Sequence, residues 1–265
     1  MGPSREDMEY SPGDMLPRAE LRGLIGHIRG RLLLLTAIFL IGLVGGYPFS
    51  GRVIEALLNS TAYKPENVEV VILHPMEAVL IRLRMGVHLG AILSVLFLVG
   101  DISWNGRKIF SEAKRVSYTG KGSLSGLIVI VLFSLLLALT GSLYSHEVLV
   151  PFLLDYLSED AASANLSSTW QLRSWIGFIV GLYFASIVGF QVPLLTWILL
   201  RNRIINVDSM TRNRGVMWFL GMAFGAFLSP PDPISMFLVA GPVLILMEFV
   251  LILHVMTNRD CCLLY

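Results

Sequence analysis

Long runs of apolar residues, separated by short polar or charged stretches, dominate the chain and predict six membrane-crossing helices. The runs cover about 32–47, 76–100, 123–144, 172–200, 216–228 and 234–255. They are apolar on all sides rather than along one stripe, the pattern of helices surrounded by lipid. The fifth has barely 13 clearly apolar residues, short of the roughly 20 that a full crossing takes. It is expected as a short helix in a locally thinned bilayer. The pattern predicts an all-α integral membrane protein with a cytoplasmic N-terminal segment (1–31), a six-helix transmembrane domain (32–255) and a cytoplasmic tail (256–265).

Charge fixes the expected orientation. Fifteen of the 20 Lys and Arg residues fall in 1–31, 101–122, 201–214 and 256–265, against only Arg52 and Lys64 in the loops on the other side. Arg82, Arg84 and Arg173 lie in or at the ends of spans. Loops retained in the cytoplasm carry the Lys/Arg excess, so both termini are expected inside the cytoplasmic membrane. The outer loops, 48–75 and 145–171, are acidic by comparison. Within the second, 148–157 is apolar enough to lie on the membrane surface as a short amphipathic helix. Residues 1–15 carry Glu6, Asp7, Glu9 and Asp14 and are expected as a cytoplasmic leader rather than a signal or transit peptide.

Composition narrows the chemistry. The chain is 55% hydrophobic and 15% charged with net charge +1, where a soluble domain carries about 25% charged residues. That balance argues against nucleic-acid binding. Cys261 and Cys262 form neither a disulfide framework nor a metal pattern. The stretch Gly120-Lys-Gly-Ser123 lacks the spacing of a phosphate loop. His146-Glu147 has Val150 where a zinc-binding helix would place its second His. No cofactor, metal or catalytic constellation is expected.

The polar groups at membrane depth remain, and charged ones cost about 2.5–3.5 kcal/mol at a helix centre on insertion scales. Glu77 stands at the mouth of the second span, with Arg84 on its face two turns away. The arginines either snorkel to headgroups or line a polar stripe. Gln191, in Gly189-Phe-Gln-Val-Pro193, sits where Gly and Pro together predict a kink. It either bonds a neighbouring helix or faces a cavity. Glu248 in the sixth span is the costliest group if ionised, unless it lies near the inner surface. In the turn Ser229-Pro230-Pro231-Asp232-Pro233, Asp232 can cap the sixth helix with Pro233 as its first residue.

Taken together, Gly189-Phe-Gln-Val-Pro193, the basic loop ending Thr211-Arg-Asn-Arg214, the Ser229-Pro-Pro-Asp232 turn and Glu248 resemble the TatC family, the multispanning subunit of the twin-arginine protein translocase. His74-Pro-Met-Glu77 through Arg84 is similar to that family's Pro-x-Glu stretch followed by a basic residue. The likeness extends from about residue 16 to 257, as a divergent prokaryotic or archaeal member. It implies a curved, glove-like bundle whose concave face holds Gln191, with Pro193, Glu77, Arg84 and Glu248 as further cavity or partner contacts and Pro230, Pro231 and Asp232 in an outer turn. It also implies recognition of Arg-Arg signal peptides, assembly with single-span TatA/TatB-type subunits, possible homo-oligomers, and export of folded cargo by the proton-motive force.

The family's signature before the first span fits two registers. One uses Glu20 and Arg22 and keeps the acid. The other uses His27, Arg29 and Arg31 and keeps both arginines at the right distance from the membrane; geometry favours it. In the first cytoplasmic loop, Glu112, Lys114 and Arg115 occupy the place of the family's acid followed by basic residues, without the usual Pro-Gly. The main alternative is a six-span secondary transporter of a small solute, which would be expected to show repeated broken helices; no such repeat is visible.

Overall fold

The computed structural model describes residues 18–60, 63, 68–113, 124–163, 168–201, 205, 207–228 and 233–262. In chain order they form α1 (Arg18–Asn59), β1 (Val68–Val71), α2 (Glu77–Ala113), α3 (Leu124–Tyr144), a π-helical turn (Ser145–Leu149), α4 (Val150–Ser163), β2 (Ser168–Gln171), α5 (Leu172–Gly189), α6 (Gln191–Arg201), α7 (Val207–Arg212), α8 (Arg214–Leu228) and α9 (Pro233–Cys262). Five segments are long and apolar enough to cross a membrane: Ile28–Asn59, Glu77–Asn105, Ile128–Ser163, Leu172–Arg201 and Pro233–Met256. Arg214–Phe227 is apolar but shorter, at the position of the expected short fifth helix. Large apolar side chains stand exposed around the bundle, Leu33 at 84% and Phe227 at 90%. Helices close their own backbone hydrogen bonds, so this surface can face hydrocarbon without leaving polar groups unpaired.

The tightest seam joins α1 and α2, which run antiparallel. Gly42 and Gly46 of α1 meet Gly90 and Gly86 of α2: a Cβ on Gly42 would lie 2.5 Å from the Gly90 Cα, and one on Gly46 would lie 2.8 Å from the Gly86 Cα. Two small-xxx-small stripes let the backbones touch, the usual means of helix association where lipid removes the hydrophobic drive.

Three departures from the sequence expectations have physical causes. First, α1 does not end near residue 47 but passes through Pro48 to Asn59. Val53, Ile54 and Leu57 continue its apolar face into the core formed by Leu149, Leu153, Trp175 and Ile176, and that burial carries the helix past the proline. Second, the fold is not purely helical. Val68–Val71 and Ser168–Gln171 pair as two parallel strands, Val68 opposite Ser168 and Val71 opposite Gln171. Both segments hold β-branched residues, which suit a pleated strand. Third, the expected surface helix continues α3 through the π-helical turn. Leu149, Val150, Leu153 and Leu154 are buried, so its apolar face packs on the bundle.

The predicted kink in the fourth span is present. α5 stops at Gly189 and α6 starts at Gln191. Pro193 has no N–H to offer Gly189, and the Phe190 N–H donates to the Ser186 carbonyl at 2.9 Å. Pro233 is the first residue of α9, as expected.

Candidate functional site

Both strands lead straight into helices, β1 towards α2 and β2 into α5, so α2 and α5 start at the same end and run parallel. This sheet end lies opposite a basic end, where α1, α3 and α8 begin and α2 and α6 finish. At the basic end Arg31 of α1 pairs with Asp101 of α2 at 3.6 Å, and the Asp101 side chain is only 8% exposed. Asn105, one turn on, donates to the Asp101 Oδ1 at 2.9 Å. Arg29 is exposed.

The basic end also holds Glu248. Its Oε2 lies 3.2 Å from Arg214, and its Oε1 accepts from the Trp218 indole N–H at 3.1 Å. Arg214 and Trp218 are one turn apart on α8, so both carboxylate oxygens are engaged by a single helix face. Nearby, the Arg201 guanidinium lies 4.9 Å from the centre of the Trp197 ring, a cation–π arrangement. The Glu248 charge is therefore compensated by a neighbour and not isolated in the apolar layer.

Midway along the bundle Gln191 is 2% exposed. The Ser134 hydroxyl of α3 donates to its Oε1 at 2.8 Å, and its Nε2 donates to the Ser134 carbonyl at 3.1 Å. The amide and a single serine thus satisfy one another across two helices, as buried polar groups require. Pro193 is buried one turn further on.

At the sheet end Glu77 is 1% exposed. Its Oε1 accepts from the Leu73 and His74 N–H groups at 3.2 and 3.0 Å and from the Gln171 side chain at 2.6 Å. It caps the turn before α2 and ties it to the last residue of β2. Below it a cavity of about 600 Å3 opens between α1, α2, α5 and the π-helical turn. Its walls are mostly apolar, with Arg52, His88, Tyr63, His146 and Tyr183 the main polar features. The Tyr63 hydroxyl bonds the His146 Nδ1, and the Tyr183 hydroxyl lies 3.0 Å from Tyr63 and 2.9 Å from His146 Nδ1. The Trp175 indole donates to the Tyr63 carbonyl at 3.1 Å.

The residues singled out from sequence therefore occupy different surroundings. Arg31 and Glu248 have charged partners, and Gln191 is bonded to Ser134 within the bundle. Glu77 engages its Oε1, while its buried Oε2 has no hydrogen-bond partner among the described residues. Arg84 faces a separate cleft between α2 and α5. Glu20, Arg22, His27 and Glu112 lie on described helical backbone, but their side chains fall outside the described residues, as do Lys114, Arg115, Pro230, Pro231 and Asp232 altogether. Sequence reasoning missed Asp101, Ser134 and the Tyr63–His146–Tyr183 group. Asp101 carried a signal, an acid directly after the apolar run ending at Gly100. Ser134 and the tyrosines carried none, because their partners lie at sequence separations of 37 to 120 residues.

The family model described as Sec-independent protein translocase protein (TatC) matches residues 24–242. The Sec-independent protein translocase protein TatC of Aquifex aeolicus is 24% identical over 235 residues, covering 88% of this chain and 93% of that protein. The TatC protein of Methanocella arvoryzae is 25% identical over 252 residues, with coverages of 91% and 95%. Among solved structures, a crystal structure of the twin arginine translocase receptor TatC superposes with a TM-score of 0.70 at 22% identity, covering 91% of this chain and all of that one. A second, in DDM, gives 0.69 with coverages of 89% and 99%. These structures share the fold.

Proposed function

Because the chain belongs to the TatC family and is a membrane component of a Sec-independent protein translocase, we propose that it receives Arg-Arg signal peptides at the basic end of the bundle. The observation that carries this reading is the arrangement about the Arg31–Asp101 pair. Glu20 lies eleven residues before Arg31 on α1, and Glu112 lies eleven residues after Asp101 on α2. On antiparallel helices, eleven residues at 1.5 Å each put both acidic positions about 16 Å beyond the pair, at the same height. Two carboxylates at one level can each take a guanidinium in bidentate fashion. Arg22, His27, Arg29, Lys114 and Arg115 flank these acids in the sequence and discourage binding of unrelated basic segments.

The same reading turns the basic end towards the cytoplasm, in agreement with the Lys/Arg bias, so an unexported signal meets these carboxylates first. Single-span TatA/TatB-type partners then assemble on the apolar flanks, and folded cargo crosses under the proton-motive force. A partner or signal helix that contacts Gln191 exchanges the Ser134 hydrogen bonds for its own. Arg84 and Glu248 contribute to the surrounding surface, with Glu77 and Pro193 buried beneath it, and Pro230, Pro231 and Asp232 link α8 to α9 in the sequence.

The test is binding of the detergent-solubilised protein to a signal peptide carrying Arg-Arg against the same peptide with Lys-Lys, repeated with Glu20→Ala and Glu112→Ala. Preference for Arg-Arg that either substitution weakens supports the receptor role and identifies the contacting carboxylate. Equal or absent binding of both peptides overturns it.

A further inference from the structure

We propose that Arg84 and Arg173 form a site for the phosphate of an acidic phospholipid, in the cleft between α2 and α5 near the sheet end. The two arginines line one cavity of about 300 Å3 whose remaining walls are apolar, among them Leu80, Leu83, Val87, Ile176 and Val180. Both are exposed.

The packing of the two helices brings both arginines to the lining of one cleft. Arg84 reaches across from α2 and rests on Gly177 of α5: a Cβ at Gly177 would lie 2.5 Å from its terminal nitrogen and 3.3 Å from its Cζ. Only a residue without a side chain leaves that seat open. Arg173 stands four residues before Gly177, on the same face of α5 and one turn nearer the sheet. It also lies in the first turn of α5, where unpaired N–H groups add partial positive charge.

Nothing within the described part of the chain neutralises this pair. The ion pairs there join Arg31 to Asp101, His146 to Glu147 and Arg214 to Glu248. Glu77, the acid heading the same helix as Arg84, directs its Oε1 to Leu73, His74 and Gln171. With no acidic partner among the described residues, two guanidiniums beside a membrane-spanning surface are available to a counter-charge from outside the chain. A phosphate suits the planar fork of arginine, which can bind it bidentately. The ligand is a lipid because the apolar path continues away from the charges. Leu80, Leu83 and Val87 are 39%, 46% and 39% exposed along the bundle face, an open track for an acyl chain. The excess of positive charge selects a net-anionic headgroup over a zwitterionic one.

The experiment is native mass spectrometry of the full-length protein in detergent, titrated with phosphatidylglycerol or phosphatidylcholine. It compares the wild type with Arg84→Gln, Arg173→Gln, Gly177→Ala and, as a control in the other cavity, Arg52→Gln. The wild type is expected to retain phosphatidylglycerol in preference to phosphatidylcholine. Each Arg→Gln change in the site is expected to weaken that retention by about tenfold, the loss of one charge-assisted hydrogen-bonding partner. Gly177→Ala should weaken it with both charges kept, by unseating Arg84. Arg173→Gln alters only an exposed position at a helix start, so its effect can be read on a folded protein. Equal retention of the two lipids, or equal losses in Arg52→Gln and Arg84→Gln, overturns the site. Displacement of phosphatidylglycerol by inorganic phosphate at matching concentration overturns the choice of a lipid and leaves a free-anion site.

Discussion

Replacing Gly90 by alanine puts a methyl carbon 2.5 Å from the carbonyl oxygen of Phe39, 3.1 Å from the Phe39 ring and 3.3 Å from the Leu43 nitrogen. An ordinary carbon–oxygen contact is no closer than about 3.3 Å, so α1 and α2 must part by most of an ångström. The obstacle is helix backbone, which cannot rotate away as a side-chain tip can. Overpacking of this kind costs about 1–3 kcal/mol. Alanine also has the higher helix propensity, by about 0.8–1 kcal/mol, which offsets part of the loss. Gly45→Ala supplies the correction, since nothing lies within 4 Å of its added Cβ. The difference between the two variants isolates the clash. At about 2–4 °C per kcal/mol for a chain of 150–250 residues, Gly90→Ala should melt about 2–12 °C below Gly45→Ala in detergent, read by thermal unfolding. Gly42→Ala meets the Gly90 Cα at 2.5 Å and should behave alike. The Gly42→Ala/Gly90→Ala double variant should lose less than the sum, because the first methyl already separates the helices. Equal melting of Gly90→Ala and Gly45→Ala would refute the idea that backbone contact along this seam holds the first two helices together.

Other outcomes follow from the polar ties. Glu77→Ala leaves the Leu73 and His74 N–H groups and the Gln171 amide without their acceptor and should lower the melting temperature more than Glu77→Gln, which keeps one carbonyl oxygen; equal effects would argue against the cap. A double-mutant cycle of Ser134→Ala and Gln191→Leu should return a coupling of about 0.6–2 kcal/mol, and zero coupling would mean that the pair does not join α3 to α6. Glu248→Gln and Arg214→Gln, at a pair whose Arg214 side is half-exposed, should each change stability by no more than about 1 kcal/mol. Glu248→Ala should in addition shift Trp218 fluorescence, by removing the indole acceptor.

Much of the bundle was legible from local pattern. Uniformly apolar runs located the spans, Gly189 with Pro193 located the break between α5 and α6, and Pro233 located the start of α9. Each is a property of a few adjacent residues. The passage of α1 through Pro48 was not legible, because the decisive term is burial of Val53, Ile54 and Leu57 against residues about ninety or more positions away. The strand pair was hidden for the same reason, since four residues carry little periodicity and each strand needs the other. At the basic end the sequence offered Arg31 as a ligand of the signal, but not its engagement with Asp101. Gln191 stood out as an isolated polar residue in an apolar run. Its partner, one of three serines in α3, did not.

The parallel strands and the Glu77–Gln171 bond fasten α2 to α5 by hydrogen bonds at the sheet end, whereas towards the basic end α2 is held by apolar packing, Val99 and Ile102 against Leu194 and Ile198 of α6. A pair of rods joined in this way behaves like a set of tongs, with its pivot at the sheet and its jaws at the basic end. Between Glu77 and Asp101 the lever is about 36 Å long, so each degree of opening at the pivot moves the far tip by about 0.6 Å. A few degrees of splay therefore carry the Asp101 end of α2 through a distance comparable to a hydrogen bond, while the tie at Glu77 shifts hardly at all. Loosening that tie by substitution should be felt most strongly at the opposite end of the molecule.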